Sequence, residues 1–359
     1  MNKKIIFLSF CATAFLVFGC KKKETTPPAT NSIAAGTVLS SEANVVIIPT
    51  YVKLYNDASL LYNGAMTFQS VPTQQNLVSC RQLWLNATAD YEQSSASLFG
   101  PNGSIGADPA SLINTYPVDT FGINSLVSGL TAYSQSSIDS LIAIQPSYLI
   151  GFHGIEFELY GITGNKMASQ FTPQQLSYII ATAMNIKTLT RQIDSEWSGP
   201  YLYQFVNAGG GCTVYPDQRA AFSDLIMGIA NITETDGIYK LSGIYENKST
   251  ILQESPFANN SINDIENNLI GVQAIYYGNY GGVTGTGLTS FVSQNNVNLD
   301  LKIKNDLNNA QKAVSLITLP LSQAIYSQSS QMQVALNACD SLDDDLKNSL
   351  LLYVNANTN

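Results

Sequence analysis

A helical hydrophobic period that recurs along most of the chain, with no competing alternation, limits the fold more than any other feature. From Tyr51, apolar or aromatic side chains fall at Leu54, Tyr55, Ala58, Leu61, Tyr62, Ala65 and Phe68, which is one helix face held for about five turns. A second stripe runs through Leu77, Cys80, Trp84, Ala87, Tyr91 and Leu98. At Phe171-Thr172-Pro173-Gln174-Gln175-Leu176 the residues spell a helix start. Thr172 caps, Pro173 suits the first helical position, Gln175 closes a capping box and Phe171 can staple onto Leu176. The spacing carries that helix through Ile179, Ile180, Ala183, Ile186, Leu189 and Ile193 to about Trp197.

The period stops around Gly209, Gly210 and Gly211 and resumes at Phe222, Leu225, Ile226, Ile229 and Ile232. Further stripes follow from Ile262 to Tyr276 and from Ile303 to Ile317, with the Gly278 to Gly287 stretch between them expected to be a mobile surface loop. After Pro320, one helix is expected from about Leu321 toward Tyr353. No alternating run predicts a sheet. A chain of 359 residues exceeds what one core usually fills, so the expectation is all-α, with two tandem helical bundles over residues 43–208 and 217–359.

Residues 1–20 carry Lys3 and Lys4, an apolar run from Ile5 to Phe18, and a small residue before Cys20, the pattern of a secretory signal. Val17, Phe18, Gly19 and Cys20 resemble a bacterial lipobox, which implies cleavage before Cys20 and acylation of it. Residues 21–42 are expected to be a flexible polar tether. These segments imply export and a lipid anchor in the bacterial envelope, with the membrane as a partner. Cys80, Cys212 and Cys339 are then an odd number of remaining thiols with no CxxC spacing, and Cys80 lies on an apolar helix face as core.

Charge narrows the function. Seventeen basic against 26 acidic side chains give a net charge of −9. The only basic cluster is Lys21 to Lys23, which argues against nucleic acid. A single histidine excludes every site that needs two imidazoles from one subunit, the HExxH pattern included. No GxSxG elbow is present, and GNYGGVTGTG lacks the GK[ST] ending of a phosphate loop.

That histidine sits in Leu149-Ile150-Gly151-Phe152-His153-Gly154-Ile155-Glu156-Phe157-Glu158-Leu159-Tyr160-Gly161. At about 100° per residue from Leu149, His153 falls near 40° and Glu156 near 340°, inside the apolar arc, while Glu158 falls near 180° and is expected to be solvated. Two ionisable groups on a buried face must serve each other, a metal, or polar groups from another helix. Gly151 and Gly154 within a helix suggest close approach by another backbone or a ligand.

Gly151, His153 and Glu156 reproduce the GxHxxE signature, and the segment resembles that of the imelysin-like family. WLNATADYEQSSASLFGP from Trp84 to Pro101 is similar to that family's Trp-containing helix, YPVD from Tyr116 to Asp119 to the segment between helix and motif, and ESPFANNSINDIENNLIGVQAIYYG from Glu254 to Gly278 to a segment in its second half. The resemblance implies an all-α protein of two bundles with the motif near their interface, exported or lipid-anchored, in a family classed with peptidases and linked to iron uptake and regulation. Ala89, Ser95 and Asn124 stand where the family often carries charges, so a complete catalytic set is not identifiable.

A metallopeptidase needs about three protein ligands and a general base. His153 can supply one ligand and Glu156 a second ligand or the base. Glu92 and Asp119, in the other two family-like segments of the first half, are candidates for the rest. An oxygen-rich set with one imidazole suits iron at least as well as zinc. Three functional readings stay open: a metal-binding envelope lipoprotein working with metal-uptake components, a metal-dependent peptidase, and a scaffold in which His153 and Glu156 are a structural pair.

Overall fold

The computed structural model describes residues 33–100 and 109–358. The signal segment, Cys20 and most of the expected tether lie outside the described residues. The rest of the tether is not one. Helix α1 (Ala35–Ser41) buries Val38 and Leu39, and a π-helical turn (Glu42–Ile47) continues it, because apolar residues here have a core to join.

The first bundle comprises α2 (Ile48–Ser70), α3 (Gln74–Ser94), α4 (Pro109–Asn114), α5 (Thr120–Ser128), α6 (Gln135–Ile142), α7 (Gly151–Tyr160), α8 (Pro173–Trp197) and α9 (Pro200–Val206). Helix α2 lies against α3 and α8, and α7 is enclosed by α3, α4, α5 and α8. The second comprises α10 (Gln218–Glu234), a π-helical turn (Thr235–Ser242), α11 (Gly243–Asn247), α12 (Ser261–Tyr277), α13 (Leu288–Ser293), α14 (Val297–Ser315), α15 (Leu321–Ser327), α16 (Ser329–Asp345) and, after a further π-helical turn (Leu346–Leu350), α17 (Leu351–Asn357). Ile33–Asn359 group as one compact unit, so the 209–216 connection does not separate independent bodies. Helix α12 ties the bundles together by packing along α3. Gly271 makes that approach possible, since a Cβ there would stand 2.2 Å from the carbonyl oxygen of Gln93.

Helix α8 starts as its residues spell it: Thr172 Oγ1 accepts from the Gln175 amide at 3.3 Å and Gln175 Oε1 from the Thr172 amide at 3.0 Å. Phe171 meets Phe68 edge-on, 5.0 Å between centroids. The single helix expected after Pro320 is broken at Gln328, whose side-chain oxygen accepts from the amides of Thr318 and Leu319. The glycine-rich stretch holds a two-stranded hairpin, Asn279–Tyr280 against Val283–Thr284. Cys80, Cys212 and Cys339 are buried free thiols, and burial pushes Cys80 up to about 12. No helix among the described residues is long and apolar enough to cross a membrane.

Candidate functional site

Helix α7 departs from the amphipathic expectation: Gly151 through Leu159 are all buried. Glu158 is therefore not solvated. It is 1% exposed and pairs with Lys166 at 3.1 Å, because a helix enclosed by four others has no water-facing side. The helix begins at Gly151 with φ +80°, where a Cβ would stand 2.5 Å from the carbonyl oxygen of Ile113. Only glycine accepts both the left-handed backbone and the contact, which brings the end of α4 against the start of α7. Trp84 Nε1 donates to the Phe152 carbonyl at 2.9 Å, and Arg81 donates to the carbonyls of Leu159 and Lys166 at the other end.

His153 Nδ1 lies 3.0 Å from Glu156 Oε2. Glu156 Oε1 accepts the backbone amides of Phe257 and Ala258, each at 2.8 Å. Three of the four acceptor directions of this carboxylate are thus used, two of them by the chain segment leading into α12. Burial raises Glu156 above the usual carboxylate range, while its bonds to His153, Ala258 and Phe257 oppose the rise. In the tautomer that directs its Nδ1 proton at Glu156, the ring carries its lone pair on Nε2. That nitrogen is buried and has no hydrogen-bond partner. Tyr116, joined to Pro117 by a cis peptide, packs edge-on against the ring with centroids 5.6 Å apart.

Tyr116 also borders a buried acidic cluster. Lys240, on the Thr235–Ser242 turn, places Nζ 2.7 Å from Glu254 Oε2, 3.4 Å from Glu92 Oε2 and 3.5 Å from Asp236 Oδ1. It donates to Asn268 Oδ1 at 2.5 Å, and Asn268 Nδ2 donates to Glu92 Oε2 at 2.7 Å. Asn114, at the end of α4, donates to both Glu92 and Glu254 at 3.0 Å. Burial first, then the Glu254 charge, raises Glu92 to about 7, against the opposing pull of Lys240, Asn268 and His153. Burial likewise lifts Asp236 and Asp264 well above the carboxylate range, with Glu254 and Glu92 adding to it in both. The surrounding carboxylates hold the Lys240 ammonium well above its usual value against burial.

Of the residues expected to form the site, the structure pairs His153 with Glu156 and leaves Glu92 in the neighbouring cluster around Lys240, within electrostatic range of the ring. Asp119 is exposed and is spent as the cap of α5, accepting from the Gly122 amide at 2.9 Å; a short polar side chain just before a helix is drawn to its unpaired amides. Glu156 orients the imidazole, in the manner of carboxylates that sit behind metal-binding histidines, and has little capacity left to act as ligand or base. One imidazole nitrogen with carboxylate oxygens is a donor set that divalent iron accepts in general. Yet among the described residues no three or more His, Cys, Asp or Glu side chains stand in a preformed metal cage, since the carboxylates are gathered around Lys240 instead. Lys240, Asp236, Glu254, Asp264, Asn114 and Asn268 were missed from sequence. Asp236 and Lys240 carried a usable signal, charged residues continuing the apolar phase of Phe222, Ile226, Ile229 and Thr233.

A family model described as Imelysin matches residues 47–349. Iron-regulated protein A of Synechococcus elongatus is 24% identical over 331 residues, spanning 90% of this chain and 88% of that protein. Two solved structures share the fold. One, assigned to an iron-regulated protein A precursor from Parabacteroides distasonis, superposes with a TM-score of 0.78 at 18% identity, covering 91% of this chain and 97% of that one. The other, an imelysin-like protein from Psychrobacter arcticum 273-4, gives 0.71 at 18% identity, covering 90% and 97%.

Proposed function

The chain belongs to the imelysin family, and on that premise we propose that it is an exported envelope protein that binds a metal cation, iron foremost, beside His153 for acquisition or sensing. The observation that carries this reading is the His153 imidazole, 1% exposed, steered by Glu156 and left with an unpartnered Nε2. A buried lone pair without a donor is costly, and a cation or a donating ligand would satisfy it. Glu92 is the foremost carboxylate candidate, because it lies within electrostatic range of the His153 ring. The similarity to a protein named for its iron regulation agrees with the choice of metal. A peptidase finds less support here, since Glu156 is committed to two amides and the imidazole.

Wild-type protein purified without chelators should take up ferrous or manganous ion in stoichiometric amount and melt at a higher temperature with excess metal, by the linkage that gives about 2.7 kcal/mol at a hundredfold excess over Kd. His153→Ala should lose both responses. Metal-independent melting of the wild type across ferrous, ferric, zinc and manganous ions would leave the scaffold as the better reading. The lipid anchor rests on the lipobox resemblance at Cys20 and has its own check. Cys20→Ser should move the protein from the membrane to the soluble fraction, and persistence in the membrane fraction contradicts acylation there.

A further inference from the structure

Helix α5, the end of α7, the loop after it and the start of α8 line an open cleft of about 530 Å3, within the size range of small-ligand sites. Its least exposed lining residues are Glu158 and Phe157, 1% and 6% exposed, with Lys166 beside them. Lys166 Nζ donates to Glu158 Oε2 at 3.1 Å and to the Glu158 carbonyl at 3.0 Å, and stands 4.0 Å from the centroid of the Phe171 ring, so the three directions of the ammonium are engaged. Glu158 Oε1, by contrast, is buried and has no hydrogen-bond partner among the described residues.

The rest of the lining carries four amide side chains, Asn124, Asn165, Gln170 and Gln175. Gln170 Oε1 accepts the Met167 amide at 2.6 Å and Gln175 Oε1 the Thr172 amide at 3.0 Å. Each glutamine head group is therefore anchored by its oxygen, and its NH2 donors have no partner among the described residues. Glu158 and Lys166 offset each other, so neither a cation nor an anion finds an unpaired countercharge here. An orphan carboxylate oxygen calls for a donor, and free NH2 groups call for acceptors. Hydroxyl groups answer both, and the C–H face of a ring that carries them can cover Phe157.

We propose that this cleft binds a neutral polyhydroxylated ligand of mono- or disaccharide size, with one hydroxyl donating to Glu158 Oε1 and others accepting from Gln170 and Gln175. Glu158 pairs with Lys166, whereas His153 and Glu156 pair with each other, so binding here needs no cation at the imidazole.

The test is calorimetric titration of the full chain with glucose, galactose, N-acetylglucosamine and maltose, and with putrescine and succinate as charged probes. At least one sugar should bind the wild type one to one with a Kd of about 1 mM or tighter. Glu158→Gln keeps the shape and removes the charged acceptor, and should weaken that sugar by about tenfold or more. Thr163→Trp, at an exposed position in the lining, should fill the cleft and abolish binding, and it keeps the decision available if Glu158→Gln does not fold. Sugar affinity unchanged in the folded variants would place the ligand elsewhere and overturn the cleft. Binding of putrescine or succinate without any of the sugars would overturn the ligand class, and no binding by any probe would overturn the site.

Discussion

Glu156 and Glu92 are both buried glutamates at the junction of the bundles, and both bear on His153, yet they are held in opposite ways. Glu156 sits on α7 and receives two amides and an imidazole, so its charge is spread over donors fixed by backbone. Glu92 sits on α3 among other acids and is held by amide side chains and one shared ammonium. The difference separates a carboxylate fixed by backbone from one held by side chains. A carboxylate satisfied by backbone amides keeps them as long as the fold holds, whereas one satisfied by side chains depends on their rotamers.

The comparison is broken most severely at Glu156. Glu156→Ala strands the Phe257 and Ala258 amides and releases the imidazole, and should cost about 3 to 5 kcal/mol in chemical denaturation, the range for removing one partner of a buried pair. A loss below about 1 kcal/mol would show that the amides find other acceptors and that Glu156 is not the clamp described here. Glu92→Gln should act in the other direction. Because the folded carboxyl is raised to about 7, above its unfolded value near 4.5, its contribution to stability is complete below about pH 4.5 and is lost as pH rises through 7. Metal-free wild type should therefore weaken over that window. Glu92→Gln should show a shallower slope and be more stable at pH 8, by an amount on the order of 2 kcal/mol, while binding no cation. Parallel stability curves for the two proteins from pH 5 to 8 would contradict the strained state of Glu92. The smallest effect is expected at Glu158, which is buried on the same helix but pairs with Lys166 away from the cluster. Glu158→Gln should change stability by about 1 kcal/mol and leave cation uptake at the wild-type level. Loss of uptake in this variant would extend the site to the far side of α7.

The helices were legible where the signal is local. The cap of α8 at Thr172, the stripe of α2 and the pairing of His153 with Glu156 all depend on residues three or four apart, which one helix alone brings together. Glu158 failed the same test for a reason the test contains. A wheel assigns faces on the assumption that one of them meets water, and α7 has none that does. Asp119 failed because resemblance marks a segment as belonging to the site region without saying which of its side chains is already engaged by its own backbone.

By itself the sequence determined that the chain is helical, where α8 starts, and that His153 and Glu156 share a face, because helix periodicity, capping and i,i+3 contacts are properties of neighbours along the chain. Tertiary structure alone decided what Glu156 holds, since its amides come from residues 101 and 102 positions away, and what surrounds Glu92, since Lys240 and Asn268 lie 148 and 176 positions away. No periodicity spans such separations. Those contacts follow from how α12 packs on α3, with Gly271 against Gln93, and from how the segment before α12 and Lys240 of the Thr235–Ser242 turn reach Glu156 and Glu92, which only the assembled packing reveals.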